Sequence, residues 1–189
     1  NDRCMMRVSN DGWLDMARGC PSPNFNQRPE VPISLVVVHN ISLPPQQFGG
    51  EYIEQLFTNC LNPLEHPYFA EIAHLKVSAH VLIRRDGEII QFVSFLARAW
   101  HAGQSSYLGQ VNCNDFSIGI ELEGSDDIPY EEVQYQQLGR IVDTLQQTYP
   151  AIENQITGHS DIAPIRKTDP GDAFDWQKFR YHLALQIDK

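Results

Sequence analysis

The segment between residues 79 and 93 leaves its chain little freedom. Two strand-like runs, 79–84 and 88–93, flank Asp86-Gly87. An Asp-Gly pair between such runs accepts the left-handed backbone of a tight turn, so the segment is expected to close as an antiparallel hairpin. A lone hairpin is barely stable in water and needs a larger sheet. Two further strands are legible. Residues 34–39 (SLVVVH) are continuously apolar, follow Pro29 and Pro32 and precede Asn40, which predicts a strand buried on both faces. Residues 116–123 (FSIGIELE) alternate, with Phe116, Ile118, Ile120 and Leu122 on one face and Ser117, Gly119, Glu121 and Glu123 on the other.

Helical spacing appears in three places. Residues 51–59 carry Ile53, Leu56 and Phe57; residues 130–149 carry Val133, Leu138, Ile141, Val142 and Leu145 and end at Pro150. Residues 175–187 open on Asp175 as N-cap and place Trp176, Phe179, Leu183 and Ile187 on one side. Residues 40–50 and 62–68 contain Pro44-Pro45, Gly49-Gly50, Pro63 and Pro67 and read as irregular. Strands and helices interleave, so the fold class is α/β: a single domain, residues 13–189, with a central mixed β-sheet flanked by helices. Residues 1–12 form an N-terminal extension without an assigned role.

Length and charge remove several functions. A chain of 189 residues can bury an adequate core. Fourteen Lys and Arg against 24 Asp and Glu leave a net charge of −10, which disfavours a nucleic-acid partner, since phosphate binding needs a basic face. The apolar stretch at 35–38 is far shorter than the ~20 residues of a membrane span. Residues 1–10 contain no apolar core of a secretory signal, although the chain begins without Met, and a cytoplasmic location is expected. Cys4, Cys20, Cys60 and Cys113 are irregularly spaced, form no C-x-x-C pair and read as free thiols.

Seven histidines raise the question of a metal. His66, beside Pro67, and His182, within the last helix, read as surface or packing residues; His74 and His80 read as structural; His101 in WHAG lines a pocket or caps one. His39 differs, because it ends a buried strand and leads into a loop, where α/β sheets place functional groups. His159 lies in TGHSDIAPIRKTDPG, a stretch with Gly158, Pro164, Pro170 and Gly171, and Asp169 follows ten residues later. Two histidines and a carboxylate are a three-ligand zinc set with a position open for water. Spacing alone does not decide for it: there is no H-E-x-x-H, and each residue also has an ordinary structural reading. Zinc hydrolysis further needs a base and a positive group. Glu121 and Glu123 are candidates for the first and Lys167 for the second; equally, the glutamates can form the solvated face of an edge strand and Lys167 can be a plain exposed lysine.

The segments VVVHNISLPPQQFGG, HPYFAEIAHLKVSAHVLIRRDGEIIQFV, RAWHAGQSSY, CNDFSIGIELEG and GHSDIAPIRKTDPG resemble, in collinear order, the bacterial anhydromuramyl-L-alanine amidases. These belong to the zinc amidase and peptidoglycan-recognition-protein superfamily. The resemblance runs from about Trp13 to the last helix. It implies Zn2+ at one end of the sheet, held by His39, His159 and Asp169, with Glu121 as the catalytic glutamate and Lys167 as the catalytic lysine. It also implies hydrolysis of the amide between the muramyl lactyl group and L-alanine in peptidoglycan turnover. Asn112 departs from the family, where the position before Cys-Asn-Asp is often basic and serves the peptide carboxylates.

The expected partner is therefore an anhydromuropeptide, bound by a monomer without nucleic acid or membrane. Because that substrate is anionic, Lys76, Arg84, Arg85, Arg98 and Arg166 are candidates for a cationic rim, with Trp100 and His101 on the sugar side. Two other readings remain: a periplasmic amidase on intact peptidoglycan, which would need an export signal, and a non-catalytic peptidoglycan-binding module. Retention of all three ligand types with Glu121 and Lys167 argues against the second.

Overall fold

The computed structural model describes residues 5–187. Its strands, in chain order, are β1 (Arg18–Gly19), β2 (Phe25–Gln27), β3 (Leu35–Ile41), β4 (Val81–Ile83) and β5 (Ile89–Gln91), then β6 (Ala97–Ala99), β7 (Ser106–Tyr107), β8 (Gln110–Val111), β9 (Ser117–Glu123) and β10 (Ile156–Gly158). The helices are α1 (Tyr52–Phe57), α2 (Pro67–Ile72), α3 (Glu132–Thr148), α4 (His159–Ile162) and α5 (Trp176–Ile187).

The Asp-Gly segment closes as expected, with β4 antiparallel to β5. That hairpin joins a mixed sheet of order β1-β5-β4-β9-β3-β10, in which β4, β9, β3 and β10 run parallel. Two short ribbons, β2 with β6 and β7 with β8, lie outside it. The central strand β3 is buried from Leu35 to His39, as its unbroken apolar run requires. Alternation then sends neighbours to opposite faces. Val36, Val38, Ile118, Ile120 and Leu122 pack against Leu138, Ile141, Val142 and Leu145 of α3 and against Phe179 and Leu183 of α5. On the other face Leu82 and Ile90 pack against Leu56, Phe57 and Phe69 of α1 and α2. No helix among the described residues is long and apolar enough to cross a membrane.

Two expectations need correction. Residues 62–68 were expected to be wholly irregular, yet Pro67 opens α2, where a proline loses no helical hydrogen bond. His66 caps that helix by accepting from the Tyr68 amide at 3.0 Å. The polar face of β9 is no solvated edge: the strand lies between β4 and β3, and all seven of its residues are buried. Within the N-terminal extension, Met6 belongs to the main core, Val8 packs against it, and Val8 forms a β-bridge with Leu14. Asp175 caps α5 as expected, accepting from the Lys178 amide at 3.0 Å. Cys20, Cys60 and Cys113 are free thiols; Cys4 lies outside the described residues.

Candidate metal centre

Parallel pairing of β3 with β9 sets His39 directly opposite Glu121, and both point away from α3, on the face that carries Leu35 and Val37. On the other side of β3, β10 pairs Gly158 with Val38, so that His159, the first residue of α4, emerges beside the end of β3. The site thus forms at the carboxyl ends of parallel strands, where open α/β sheets bind their ligands. Asp169 comes from a loop tied down on several sides. Its carbonyl accepts from the Ser160 amide at 2.9 Å, and the next carbonyl, that of Pro170, accepts from the Tyr130 hydroxyl at 2.7 Å and from Asn40 Nδ2 at 3.2 Å. Asn40 Nδ2 also donates to Asp126 at 2.7 Å.

Three side-chain donors converge. His39 Nδ1 lies 3.0 Å from His159 Nδ1 and 3.3 Å from Asp169 Oδ2, and His159 Nδ1 lies 3.2 Å from Asp169 Oδ1. His39, His159 and Asp169 form a group able to hold a metal ion, with one ligand atom each and all within 4.8 Å of one another. The rear nitrogens face other partners: His39 Nε2 lies 2.9 Å from His101 Nδ1, and His159 Nε2 lies 3.0 Å from the Ala102 carbonyl. Two imidazoles and a carboxylate aimed at one point suit Zn2+.

Glu121 approaches this group from β9, its Oε1 3.9 Å from His39 Nδ1, while its buried Oε2 has no hydrogen-bond partner. An unpaired buried carboxylate oxygen is costly, so its presence beside three convergent donors points to a ligand or a reacting proton. Burial, then the nearby Asp169 charge, pushes the Glu121 carboxyl well above its usual range, and Lys167 pulls it back down. Burial likewise lowers His39 and His101, disfavouring the charged form of both rings. Burial alone would raise Asp169, but contact with His159 and His39 outweighs it and holds that carboxyl well below the usual carboxylate range.

An open cavity of about 780 Å³ adjoins the group, lined by Asn40, Tyr68, Leu75, Arg166, Lys167 and Asp169 among others. Lys167 therefore stands where expected, half-buried at the cavity wall. Glu123 does not. Read as a candidate base or as part of a solvated strand face, it is instead 2% exposed and accepts from Arg84 Nη2 at 3.1 Å, from the Arg85 amide at 3.0 Å and from the Gly49 amide at 2.9 Å. Most of the cationic rim also dissolves, because Arg84 and Arg85 pair with Glu123 and Glu131 and Arg98 pairs with Asp115, while Lys76 is exposed and outside the cavity lining. Arg166 alone of the five lines the cavity. Trp100 is likewise outside the lining, its indole N–H bonded to Asn26. His101 is buried under His39 rather than on a sugar-facing wall. His80 is structural as read: its Nδ1 accepts from the Gly119 amide at 3.1 Å, and Nε2 meets the Ala97 carbonyl at 2.9 Å. Sequence reasoning missed the supports Asn40, Tyr130 and Ala102; only the adjacency of Asn40 to His39 and of Ala102 to His101 hinted at them.

Known proteins resemble this chain in sequence and in fold. The family model described as N-acetylmuramoyl-L-alanine amidase matches residues 29–172. Over 180 residues the chain is 61% identical to the 1,6-anhydro-N-acetylmuramyl-L-alanine amidase AmpD of Salmonella typhimurium strain SL1344, covering 94% of this chain and 96% of the relative. A crystal structure of a selenomethionine AmpD derivative superimposes with a TM-score of 0.91 at 59% identity, covering 93% of this chain and 99% of that one. The amidase AmiD of Escherichia coli, solved with anhydro-N-acetylmuramic acid-L-Ala-D-γ-Glu-L-Lys, is similar at a TM-score of 0.59 and 26% identity, covering 93% and 65%.

Proposed function

Because the chain belongs to the N-acetylmuramoyl-L-alanine amidase family, we propose that it hydrolyses the amide between the lactyl group of 1,6-anhydro-N-acetylmuramic acid and L-alanine in peptidoglycan recycling, acting in the cytoplasm as a monomer. The observation that carries this reading is the unpaired Glu121 oxygen beside the convergent His39, His159 and Asp169 atoms. Likeness over nearly the whole length to a named anhydromuramyl-L-alanine amidase supports the substrate.

His39 Nδ1, His159 Nδ1 and an Asp169 carboxylate oxygen would hold Zn2+. The ion supplies Lewis-acid charge for polarising a carbonyl and for making water a better nucleophile at neutral pH. Glu121 accepts the proton that water loses as its oxygen attacks the lactyl carbonyl carbon. When the C–N bond breaks, the same carboxyl returns that proton to the alanine nitrogen. Burial raises the proton affinity of this carboxyl, which suits it to take the proton from water and to hold it until the alanine nitrogen accepts it. Lys167, at the cavity wall, offers positive charge to the oxygen that becomes negative during attack. Arg166 lines the same cavity and suits the carboxylates of a peptide stem.

The test is incubation with anhydromuramyl tripeptide and, separately, with purified sacculi, with zinc quantified in the same preparation. Rapid release of the anhydro-sugar, little attack on sacculi and about one zinc per chain are expected. Equal attack on sacculi would favour an enzyme of intact peptidoglycan, and binding without cleavage would favour a recognition module.

A further inference from the structure

The two imidazoles that converge with Asp169 share their outer support. Their rear nitrogens are met by consecutive residues: His39 Nε2 by the His101 ring at 2.9 Å and His159 Nε2 by the Ala102 carbonyl at 3.0 Å. This dipeptide is anchored at its own backbone, because Asn114 Oδ1 accepts from the His101 amide at 3.1 Å and from the Ala102 amide at 2.8 Å. Arg166 also donates to the Ala102 carbonyl, at 2.7 Å. The His101 ring packs closely on Gly119. A Cβ on Gly119, in the adjacent strand, would come within 2.4 Å of its Cγ.

Donor and acceptor arithmetic then orders the chain of contacts. A ligating Nδ1 needs its lone pair, so neutral His39 must carry its proton on Nε2. That proton requires an acceptor, and the facing atom is His101 Nδ1. His101 must then carry its own proton on Nε2, which faces Ser117 Oγ at 3.1 Å. We propose that His101-Ala102 is the common outer support of both imidazole ligands: His101, backed by Ser117, is a positioning residue that sets the tautomer and ring orientation of His39, and the Ala102 carbonyl does the same for His159. The proposal rests on the metal reading above and deepens it. Such outer hydrogen bonds typically alter metal affinity by about 10–100-fold.

A matched pair of variants separates this role from simple packing. His101→Asn and His101→Leu place side chains of the same length and branching in the same pocket, but only asparagine presents an acceptor near the original Nδ1. Zinc affinity is read by competition with a chromophoric chelator, without reference to activity. His101→Leu is expected to bind zinc about 10–100-fold more weakly than the unmodified protein, with His101→Asn recovering most of that loss. In parallel, nitrogen-15 NMR of the unmodified, zinc-loaded protein is expected to show His101 protonated at Nε2 and bare at Nδ1, which requires no variant to fold. Equal affinities for the Leu and Asn variants, or a His101 proton on Nδ1 in a zinc-loaded protein, would overturn the proposal. A protein that takes up no zinc at all would overturn the metal reading itself, and the proposal with it.

Discussion

Glu121 and Glu123 are two residues apart on one face of β9, and the structure assigns them opposite responses to the same substitution. Glu123→Gln removes the charge and one acceptor oxygen from a carboxylate to which Arg84 Nη2, the Arg85 amide and the Gly49 amide all donate. A glutamine offers one acceptor oxygen and turns an NH2 group towards a donor. Removing one partner of a buried ion pair typically costs about 3–5 kcal/mol. Arg84 retains Glu54 at 3.3 Å, which moderates the loss to about 2–4 kcal/mol. For a chain of this size that is a fall in Tm of about 5–15 °C. Glu121→Gln loses no hydrogen bond at Oε2, because that atom has none. Its carboxyl is raised in the folded protein by burial and by Asp169. The stability it contributes is therefore complete below the ordinary glutamate range and is lost as pH rises through the raised folded value. Glutamine does not titrate, so metal-free Glu121→Gln should match the unmodified protein in acid and exceed it in Tm at neutral pH. The same variant should keep zinc and lose roughly 10²–10⁴ in kcat as a missing general base. Thermal melts of the metal-free variants between pH 4 and pH 8, with kcat measured on the zinc-loaded forms, decide the matter. A Glu121→Gln protein that melts well below the unmodified one at pH 7, or a Glu123→Gln protein that melts with it, refutes the reasoning about burial. An active Glu121→Gln beside an inactive Glu123→Gln refutes the choice of base.

Three further outcomes follow from the same geometry. His39→Ala should lose both zinc and activity, since two remaining ligands hold the ion poorly; full activity after exhaustive chelation, with no metal detected, would contradict this. Lys167→Ala should retain zinc and lower kcat by about 10²–10³, whereas a change confined to KM would assign the lysine to substrate binding alone. The acid limb of kcat/KM should report Glu121, which must be ionised to accept a proton; burial raises it, while Lys167 and a bound Zn2+ pull it down. The limb should move up in Lys167→Met, where one of those positive charges is gone; an unmoved limb would assign it to another group.

Local periodicity and turn chemistry determined much of this protein. The Asp86-Gly87 turn, the apolar run of β3, the alternation of β9 and the 3.6-residue stripes of α3 and α5 are properties of short segments, and each appears in the structure where the sequence indicated, except that Val133 of α3 and Ile187 of α5 stay outside the core. Motif resemblance singled out His39, His159, Asp169, Glu121 and Lys167, and the structure gathers them around one cavity edge. Elements held by distant partners were not legible. The three-residue β10 is too short for a periodic signal and exists through its pairing with β3. Proline at 67 reads equally as a breaker or as a first helical turn, and the capping by His66 makes it the latter. Tertiary structure alone separated the glutamates. Alternation states which face a side chain takes, but not what lies across from it. Parallel register sets Glu121 opposite His39 and Glu123 opposite Ile41, and the hairpin delivers Arg84 to the second glutamate and none to the first. Desolvation and ion pairing depend on neighbours brought from far along the chain, so one carboxyl becomes a raised, unpaired group and the other a structural anion.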